Sequence, residues 1–200
     1  GFEWRKAINF CMKKDGDTCW VAPSSPRCWA VQSSDLAPVM VALDARVVLA
    51  GPDGERTIPV AALYHDDGMA FLTKRPEELL VRIEVPALAG ARASYRKLRR
   101  RGSFDFPVLG VAVWVSFDGE GKVVAARIVL GAVGSHPKLV EDAAATLVGG
   151  TLDDDQLEEA ARLASKLAKP LDNTDFTIGW RKDMAPVFVR RALEGLRSVG

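Results

Sequence analysis

Residues 108–117, VLGVAVWVSF, and residues 123–130, VVAARIVL, carry the strongest structural pattern in the sequence. Both segments are rich in Val, Ala and Ile, and β-branched residues favour extended backbone. Between them lies Asp-Gly-Glu-Gly at residues 118–121, which is typical of a hairpin turn. A basic segment at residues 94–101 precedes the pair. The pattern predicts an antiparallel sheet of about three strands.

Three helical segments follow this sheet. Residues 137–148 end at a Gly-Gly stop, and residues 153–168 begin with three aspartates that complement the positive end of a helix dipole. Residues 181–196 form the third segment, in which apolar residues alternate with arginines. We expect these three helices to form a bundle beside the sheet.

The earlier part of the chain predicts one helix and three strands. Ser34 is the expected N-cap of a helix that ends near Leu43. Residues 45–50 and 56–60 are expected to be strands on either side of a Gly-Pro-Asp-Gly turn. Residues 79–85 alternate apolar and charged side chains, which predicts a half-buried strand.

Composition excludes several classes of partner. The 200 residues include 27 Lys plus Arg and 26 Asp plus Glu, so the formal net charge is +1. This balance predicts no binding to nucleic acid or to an anionic membrane surface. No apolar run approaches the ~18–20 residues that a membrane helix needs. Residues 1–6 do not resemble a signal peptide, so we expect a cytoplasmic protein.

Cys11, Cys19 and Cys28 are the only cysteines of the chain, at spacings of eight and nine residues. An odd number cannot be consumed by intramolecular disulfides alone. Nearby Gly and Pro residues would let a loop fold around a metal, and nearby cations would offset thiolate charge. From spacing alone three interpretations remain open: unligated thiols, a zinc site, or an iron–sulfur cluster that needs a fourth ligand.

Several segments together carry a family resemblance. They are residues 27–30, 34–40, 76–80, 95–101, 105–107, 180–182 and 190–193. In this order they resemble the flavoprotein subunits of the xanthine dehydrogenase and CO dehydrogenase family. Within that family, the loop containing the three cysteines resembles the branch of the 4-hydroxybenzoyl-CoA reductase β subunit, in which an inserted loop holds a [4Fe-4S] cluster. Ser34 and Asp44 stand where the family often has Gly, and Trp180 stands where it usually has Tyr.

The resemblance implies an α+β fold in two domains. Residues 1–88 would be the later half of an α/β FAD-binding domain of the PCMH type, with the cysteine loop at about residues 1–33. Residues 89–200 would be the C-terminal domain of a CO dehydrogenase flavoprotein, a three-stranded antiparallel sheet with a three-helix bundle. A glycine-rich phosphate loop and the fourth cluster cysteine are expected upstream of residue 1.

The resemblance also implies the site residues. Ser34, Asp35, Leu80 and Lys97 would bind FAD, and Cys11, Cys19 and Cys28 would bind the [4Fe-4S] cluster. No catalytic residue is expected on this chain. Simpler interpretations exist for three of them: Asp35 as an acidic residue in a first helical turn, Leu80 as a core residue, and Lys97 as one member of a solvated basic run.

The implied function is electron transfer in a molybdenum-dependent 4-hydroxybenzoyl-CoA reductase. Electrons would pass from a ferredoxin-type donor through [4Fe-4S] and FAD to a small [2Fe-2S] subunit and then to a large molybdenum subunit, in a dimer of heterotrimers. The first alternative is the FAD subunit of a xanthine, CO or aldehyde dehydrogenase-type hydroxylase with incidental cysteines. The second is an assembly module without a cofactor.

Overall fold

A computed structural model describes residues 11, 19, 21–22, 24–102, 104–171 and 174–197 of the chain. These residues form two antiparallel sheets, one of three strands and one of four, with helices packed against them. The expected α+β class is therefore confirmed. No helix in the described ranges has both the length and the apolar character that a membrane crossing requires.

The first helix, α1, spans Leu36–Ala42 and begins where the sequence predicts. The Ser34 hydroxyl accepts a hydrogen bond from the Ala37 backbone N–H at 3.0 Å. This bond satisfies one of the amide donors that a helix N-terminus leaves without an intrahelical partner. Pro38 lies in the first turn, where its lack of an N–H costs little.

The first sheet has the strand order β2-β1-β3, in which β1 is Arg46–Gly51, β2 is Gly54–Pro59 and β3 is Leu79–Glu84. The strands β1 and β2 form a hairpin that closes at Gly51 and Gly54, and Gly54 has a φ of 106°. A short 3-10 helix, Val60–Leu63, follows β2.

The expected half burial of residues 79–85 is wrong for strand β3. All six β3 residues are exposed, although the sequence alternates apolar and charged side chains. The reason is position, because among the described strands β3 is an edge strand that pairs only with β1, and its two faces are both accessible. A bulge at Val48 and Leu49 shifts its register against β1.

The second sheet has the order β4-β5-β6-β7 and contains the predicted hairpin. Its strands are β4 Ala91–Leu98, β5 Leu109–Phe117, β6 Val123–Gly131 and β7 Lys138–Leu139. The sheet was expected to have three strands and has a fourth, β7, of two residues. This strand comes from the segment predicted to be helical at residues 137–148, part of which pairs with β6 instead.

Three helices complete the chain, as predicted, with shifted ends. Helix α2 spans only Glu141–Ala145, α3 spans Asp154–Leu167, and α4 spans Ile178–Glu194. The Asp153 side chain caps α3 by accepting a hydrogen bond from the Gln156 N–H. The Thr177 side chain caps α4 in the same way, and the helix begins at Ile178, three residues before the predicted start.

Strand β5 is apolar from Leu109 to Val115 because both of its faces are covered. Val111, Val113 and Val115 belong to a core shared with the C-terminal helices. Ala112, on the opposite face, packs in a second core with Val41 of α1 and with residues of the first sheet. The continuous apolar sequence that predicted the hairpin is therefore explained by the position of β5 between two layers.

Arg181 of α4 fastens the helices to the second sheet. Its guanidinium is fully buried and donates to the Val108 carbonyl at 3.1 and 3.3 Å, the Ala132 carbonyl at 2.8 Å and the Leu171 carbonyl at 2.9 Å. Burial lowers the pKa of Arg181. Its donors are matched by backbone oxygens rather than by a carboxylate.

Candidate functional site

The first candidate site is built around Asp35 at the start of α1. The Asp35 carboxylate accepts a hydrogen bond from the Tyr95 hydroxyl at 2.9 Å and from the Lys97 ammonium at 2.8 Å. About half of the Asp35 side chain is exposed, whereas Lys97 is only 18% exposed. Partial burial and the neighbouring Asp35 carboxylate raise the pKa of Tyr95. Tyr95 therefore remains a neutral hydrogen-bond donor at physiological pH.

Strand β4 explains why Tyr95 and Lys97 reach the same carboxylate. Side chains two positions apart on a strand point to the same face. Tyr95 pairs with Ala112 of β5, and Lys97 pairs with Gly110, so both are opposite small residues. A Cβ atom on Gly110 would lie 2.8 Å from the Tyr95 hydroxyl oxygen. The missing side chain at Gly110 is what allows the Tyr95 hydroxyl to occupy its position.

A cavity of about 340 Å³ opens beside the Asp35–Lys97 pair. Lys97 also donates to the Asp105 carbonyl at 2.5 Å, which holds the loop after β4 against the pair. Hydrogen bonds from Arg101 lower the pKa of Asp105 to about 2. The cavity walls include the rings of Phe104 and Phe106 from this loop. A planar ligand with hydrogen-bonding edges could contact both charges and both rings.

Ser34 and Leu80 are not among the described residues that line this cavity. Ser34 uses its hydroxyl to cap α1. Leu80 lies on the exposed edge strand β3, opposite Leu49 in the register. Of the four expected FAD residues, the structure joins Asp35 and Lys97 directly, and the FAD roles of all four stay predictions.

Hydrogen bonds to Cys28 connect the cysteine-containing segment to two other parts of the chain. The Cys28 carbonyl accepts hydrogen bonds from the Gly68 N–H at 2.9 Å and the Ser135 hydroxyl at 3.3 Å. The Cys28 sulfur accepts a hydrogen bond from the Ala30 N–H at 3.4 Å, and the Cys19 sulfur accepts one from the Ala22 N–H at 3.3 Å. Backbone N–H donors directed at sulfur are a feature of ligating thiolates.

An ion-pair cluster lies next to Cys28. The Arg27 guanidinium stacks on the Trp29 ring at 3.6 Å from its centroid and pairs with Asp66 at 2.7 Å. His136 Nδ1 lies 3.0 Å from the same Asp66 oxygen. Partial burial of Asp66 favours its neutral form, but the neighbouring Arg27 and His136 side chains outweigh this effect and lower the pKa of Asp66.

Within the described residues, no group of three or more His, Cys, Asp or Glu side chains is placed to hold a metal ion. Cys11, Cys19 and Cys28 are all half-buried. The chain thus offers no preformed site for a cluster in its described part, and ligation by the three cysteines stays a prediction. Residues 12–18, which are all the residues between the first two cysteines, lie outside the described residues.

Sequence reasoning assigned no role to Tyr95, Phe104 or Asp105. One sequence feature could have indicated a role for Tyr95: it precedes Lys97 by two positions, in a segment expected to lie near the flavin. No sequence feature indicated the contact between Lys97 and Asp105, because this contact depends on how the loop after β4 folds back.

The fold and this site define an α+β chain in which a helix N-terminus and a strand of the following sheet form a charged cleft. Two family models match it. The model described as "FAD binding domain in molybdopterin dehydrogenase" matches residues 27–88, and "CO dehydrogenase flavoprotein C-terminal domain" matches residues 93–196.

Individual relatives agree with these matches. The chain is 35% identical over 166 residues to the carbon monoxide dehydrogenase medium chain of Afipia carboxidovorans, which covers 82% of this chain and 56% of that relative. It is 36% identical over 130 residues to the aldehyde oxidoreductase FAD-binding subunit PaoB of Escherichia coli, covering 63% and 39%. The solved structure of reconstituted CO dehydrogenase from Oligotropha carboxidovorans superposes with a TM-score of 0.73 at 33% identity, covering 82% of this chain and 56% of that one.

The chain therefore belongs to the family of FAD-binding subunits of CO dehydrogenase/xanthine oxidase-type molybdenum hydroxylases. It spans about half the length of the CO dehydrogenase medium chain that it matches.

Proposed function

We propose that this chain forms part of the flavin site of an electron-transfer subunit in a molybdenum-dependent oxidoreductase. The observation that carries the proposal is the Asp35–Lys97 pair at the edge of the cavity. We also propose that residues 1–88 and 89–200 are its two domains, which is supported by family models that end at residue 88 and begin at residue 93.

The residues around the cavity fit the ring system of FAD. Lys97 supplies a cationic donor, Asp35 supplies an acceptor, and Phe104 and Phe106 supply apolar surfaces for a planar ring. The cavity volume is within the ~300–1,000 Å³ of small-molecule sites. When bound, FAD would supply the chemistry that links one-electron and two-electron carriers. The phosphates and adenosine would need binding groups besides those of this cavity.

Lys97 would then tune the cofactor, since a cation near the flavin's polar edge stabilises its reduced, more negative form. Replacing Lys97 by Gln in the complete subunit should weaken FAD binding about tenfold or more, because a hydrogen bond to a charged group contributes ~1.5–3 kcal/mol. It should also lower the reduction potential of the bound flavin. Arg162→Gln, an exposed cation of α3 paired with Glu159, is the matched control. Unchanged FAD affinity and potential in Lys97→Gln would contradict the proposal.

A more specific function is proposed for the complete enzyme: reduction of 4-hydroxybenzoyl-CoA. The substrate would take up two electrons and two protons and release its phenolic hydroxyl as water, giving benzoyl-CoA, on a large molybdenum subunit. This version adds a [4Fe-4S] cluster, a ferredoxin-type donor, a small [2Fe-2S] subunit and a dimer of heterotrimers in the cytoplasm. Its support is the cysteine loop and the N–H donors directed at Cys19 and Cys28.

Iron analysis of the isolated, complete subunit separates this version from its competitor. About four iron atoms per subunit would support the cluster. Flavin without iron would favour a CO or aldehyde dehydrogenase-type hydroxylase with incidental cysteines, a function that the names of the relatives also support. Neither flavin nor iron would favour the assembly module without a cofactor.

A further inference from the structure

The Asp35 carboxylate receives its two donors on two different oxygen atoms. The Tyr95 hydroxyl donates to Oδ1 at 2.9 Å, and the Lys97 ammonium donates to Oδ2 at 2.8 Å. Asp35 directly precedes α1, but among the described residues its side chain makes no capping hydrogen bond. The Ser34 hydroxyl, which accepts from the Ala37 N–H, caps the helix instead. The two donors, rather than the helix, therefore orient the Asp35 carboxylate.

Tyr95 contacts Asp35 without reaching the cavity of about 340 Å³ that is proposed to hold the flavin, called the flavin cavity below. The described residues that line the flavin cavity include Asp35 and Lys97 but not Tyr95. The Tyr95 ring lines a second cavity, of about 240 Å³, whose walls also include Val39 and Ala42 of α1. Packing thus leaves open space beside the ring, and the bond to Asp35 fixes the position of the hydroxyl. An effect of Tyr95 on a ligand in the flavin cavity would be transmitted by Asp35.

The donors of the Lys97 ammonium show what this arrangement achieves. An ammonium has three N–H donors. One donates to Asp35 Oδ2 and another to the Asp105 carbonyl, which leaves one for a ligand in the flavin cavity that Lys97 lines. If Tyr95 did not occupy Oδ1, the ammonium could bridge both Asp35 oxygens. Its third donor would then be used within the protein.

We propose that Tyr95 is a positioning residue of the flavin site, which reserves one Asp35 oxygen so that Lys97 keeps an N–H for the cofactor. The inference rests on the proposed flavin site and adds to it a residue that does not line the cavity. The competing explanation is a structural role, in which the Tyr95–Asp35 bond only connects β4 to α1. The two explanations differ because positioning makes the effect of Tyr95 depend on Lys97, whereas a structural role does not.

The test measures the Kd for FAD by calorimetry and the potential of the bound flavin by redox titration, both on the complete subunit. The variants are Tyr95→Phe, Lys97→Gln and the double variant. Tyr95→Phe removes only the hydroxyl and keeps the ring, so the second core keeps its packing. Tyr64→Phe is the matched control, because Tyr64 is the other tyrosine of the chain, is also half-buried and packs against the same core.

Tyr95→Phe should raise the Kd for FAD by about fourfold or more, less than Lys97→Gln does, because the Lys97 ammonium is withdrawn rather than removed. It should also lower the flavin potential, since a withdrawn cation stabilises the reduced flavin less. The double variant should match Lys97→Gln to within about twofold, because without the ammonium the reserved oxygen has no function. Tyr64→Phe should stay within about twofold of the wild type.

Two results would overturn the inference. One is a Kd for FAD in Tyr95→Phe that matches the wild type. The other is a double variant in which the effects of the two substitutions multiply, which is the pattern of independent, structural effects. In both cases a loss of FAD affinity in Lys97→Gln would leave the proposed flavin site standing. A wild-type subunit without affinity for FAD would instead refute the proposed function.

Discussion

Replacing Arg181 by Leu should destabilise the chain strongly, although Arg181 is remote in sequence from every proposed cofactor ligand. The guanidinium donates to three carbonyl oxygens, of Val108, Ala132 and Leu171, in a fully buried position. These carbonyls belong to the segment before β5, the segment after β6 and the segment before α4. Removing the donor would leave three backbone acceptors without partners at the junction of the sheet and helices.

The expected loss of stability is the difference between two large free energies, that of the lost hydrogen bonds and that of burying the guanidinium. Hydrogen bonds from a charged donor contribute ~1.5–3 kcal/mol each, so three acceptors represent about 4.5–9 kcal/mol. Burying the guanidinium costs several kcal/mol, which Leu would recover. The free energy of unfolding should therefore fall by about 2–4 kcal/mol.

Urea denaturation of the chain, followed by circular dichroism, measures this change as a lower midpoint at an unchanged slope. Arg181→Lys should lower the free energy of unfolding by less than Arg181→Leu, because one ammonium can still reach some of the carbonyls. Arg162→Leu is the control, since Arg162 is exposed and its pair with Glu159 contributes little. A loss below about 0.5 kcal/mol in Arg181→Leu would refute the reasoning, given that surface substitutions have effects of that size.

Two further predictions concern the first domain. Hydrogen bonds from Arg56 lower the pKa of Glu78 to about 2 from 4.5, so Glu78 stabilises the fold above pH 4.5 and this contribution is lost as the pH falls toward 2. The wild-type melting temperature should thus fall more steeply than that of Glu78→Gln between pH 5 and pH 2, and parallel curves would contradict this. Gly68→Ala should lower the free energy of unfolding by about 1–3 kcal/mol, because its Cβ would lie 2.6 Å from the Ala30 Cβ. Gly119→Ala, where a Cβ has no neighbour within 4 Å, should be nearly neutral in the same denaturation assay.

Local signals predicted most of the fold. The hairpin of β5 and β6 followed from two β-branched segments around an Asp-Gly turn, and its observed strands differ from the prediction by one residue at each shifted end. The helix prediction for residues 137–148 was wrong at its start. Lys138 and Leu139 pair with β6 instead, and no local sequence pattern indicates this pairing. The exposure of β3 was missed for a similar reason, since alternation reports which face is apolar but not whether anything covers it.

The candidate site was less accessible to sequence reasoning. Asp35 and Lys97 are separated by 62 residues, and only the family resemblance associated them before the structure placed their charged atoms 2.8 Å apart. The basic run that contains Lys97 gave no reason to select it over its neighbours. What distinguishes Lys97 is its position on β4, on the same face as Tyr95 and opposite a glycine, which only the strand register reveals.

The same strand that determines the fold also shapes the site. On one face, β5 presents the valines of the main core, and on the other it presents Gly110 and Ala112. These two small residues are the register partners of Lys97 and Tyr95. A side chain on Gly110 would fill space that the Tyr95 ring occupies and would displace its hydroxyl from Asp35. The valines on one face and the two small residues on the other therefore satisfy two requirements, a dense core on the helical side and room on the other side for the contact between Tyr95 and Asp35.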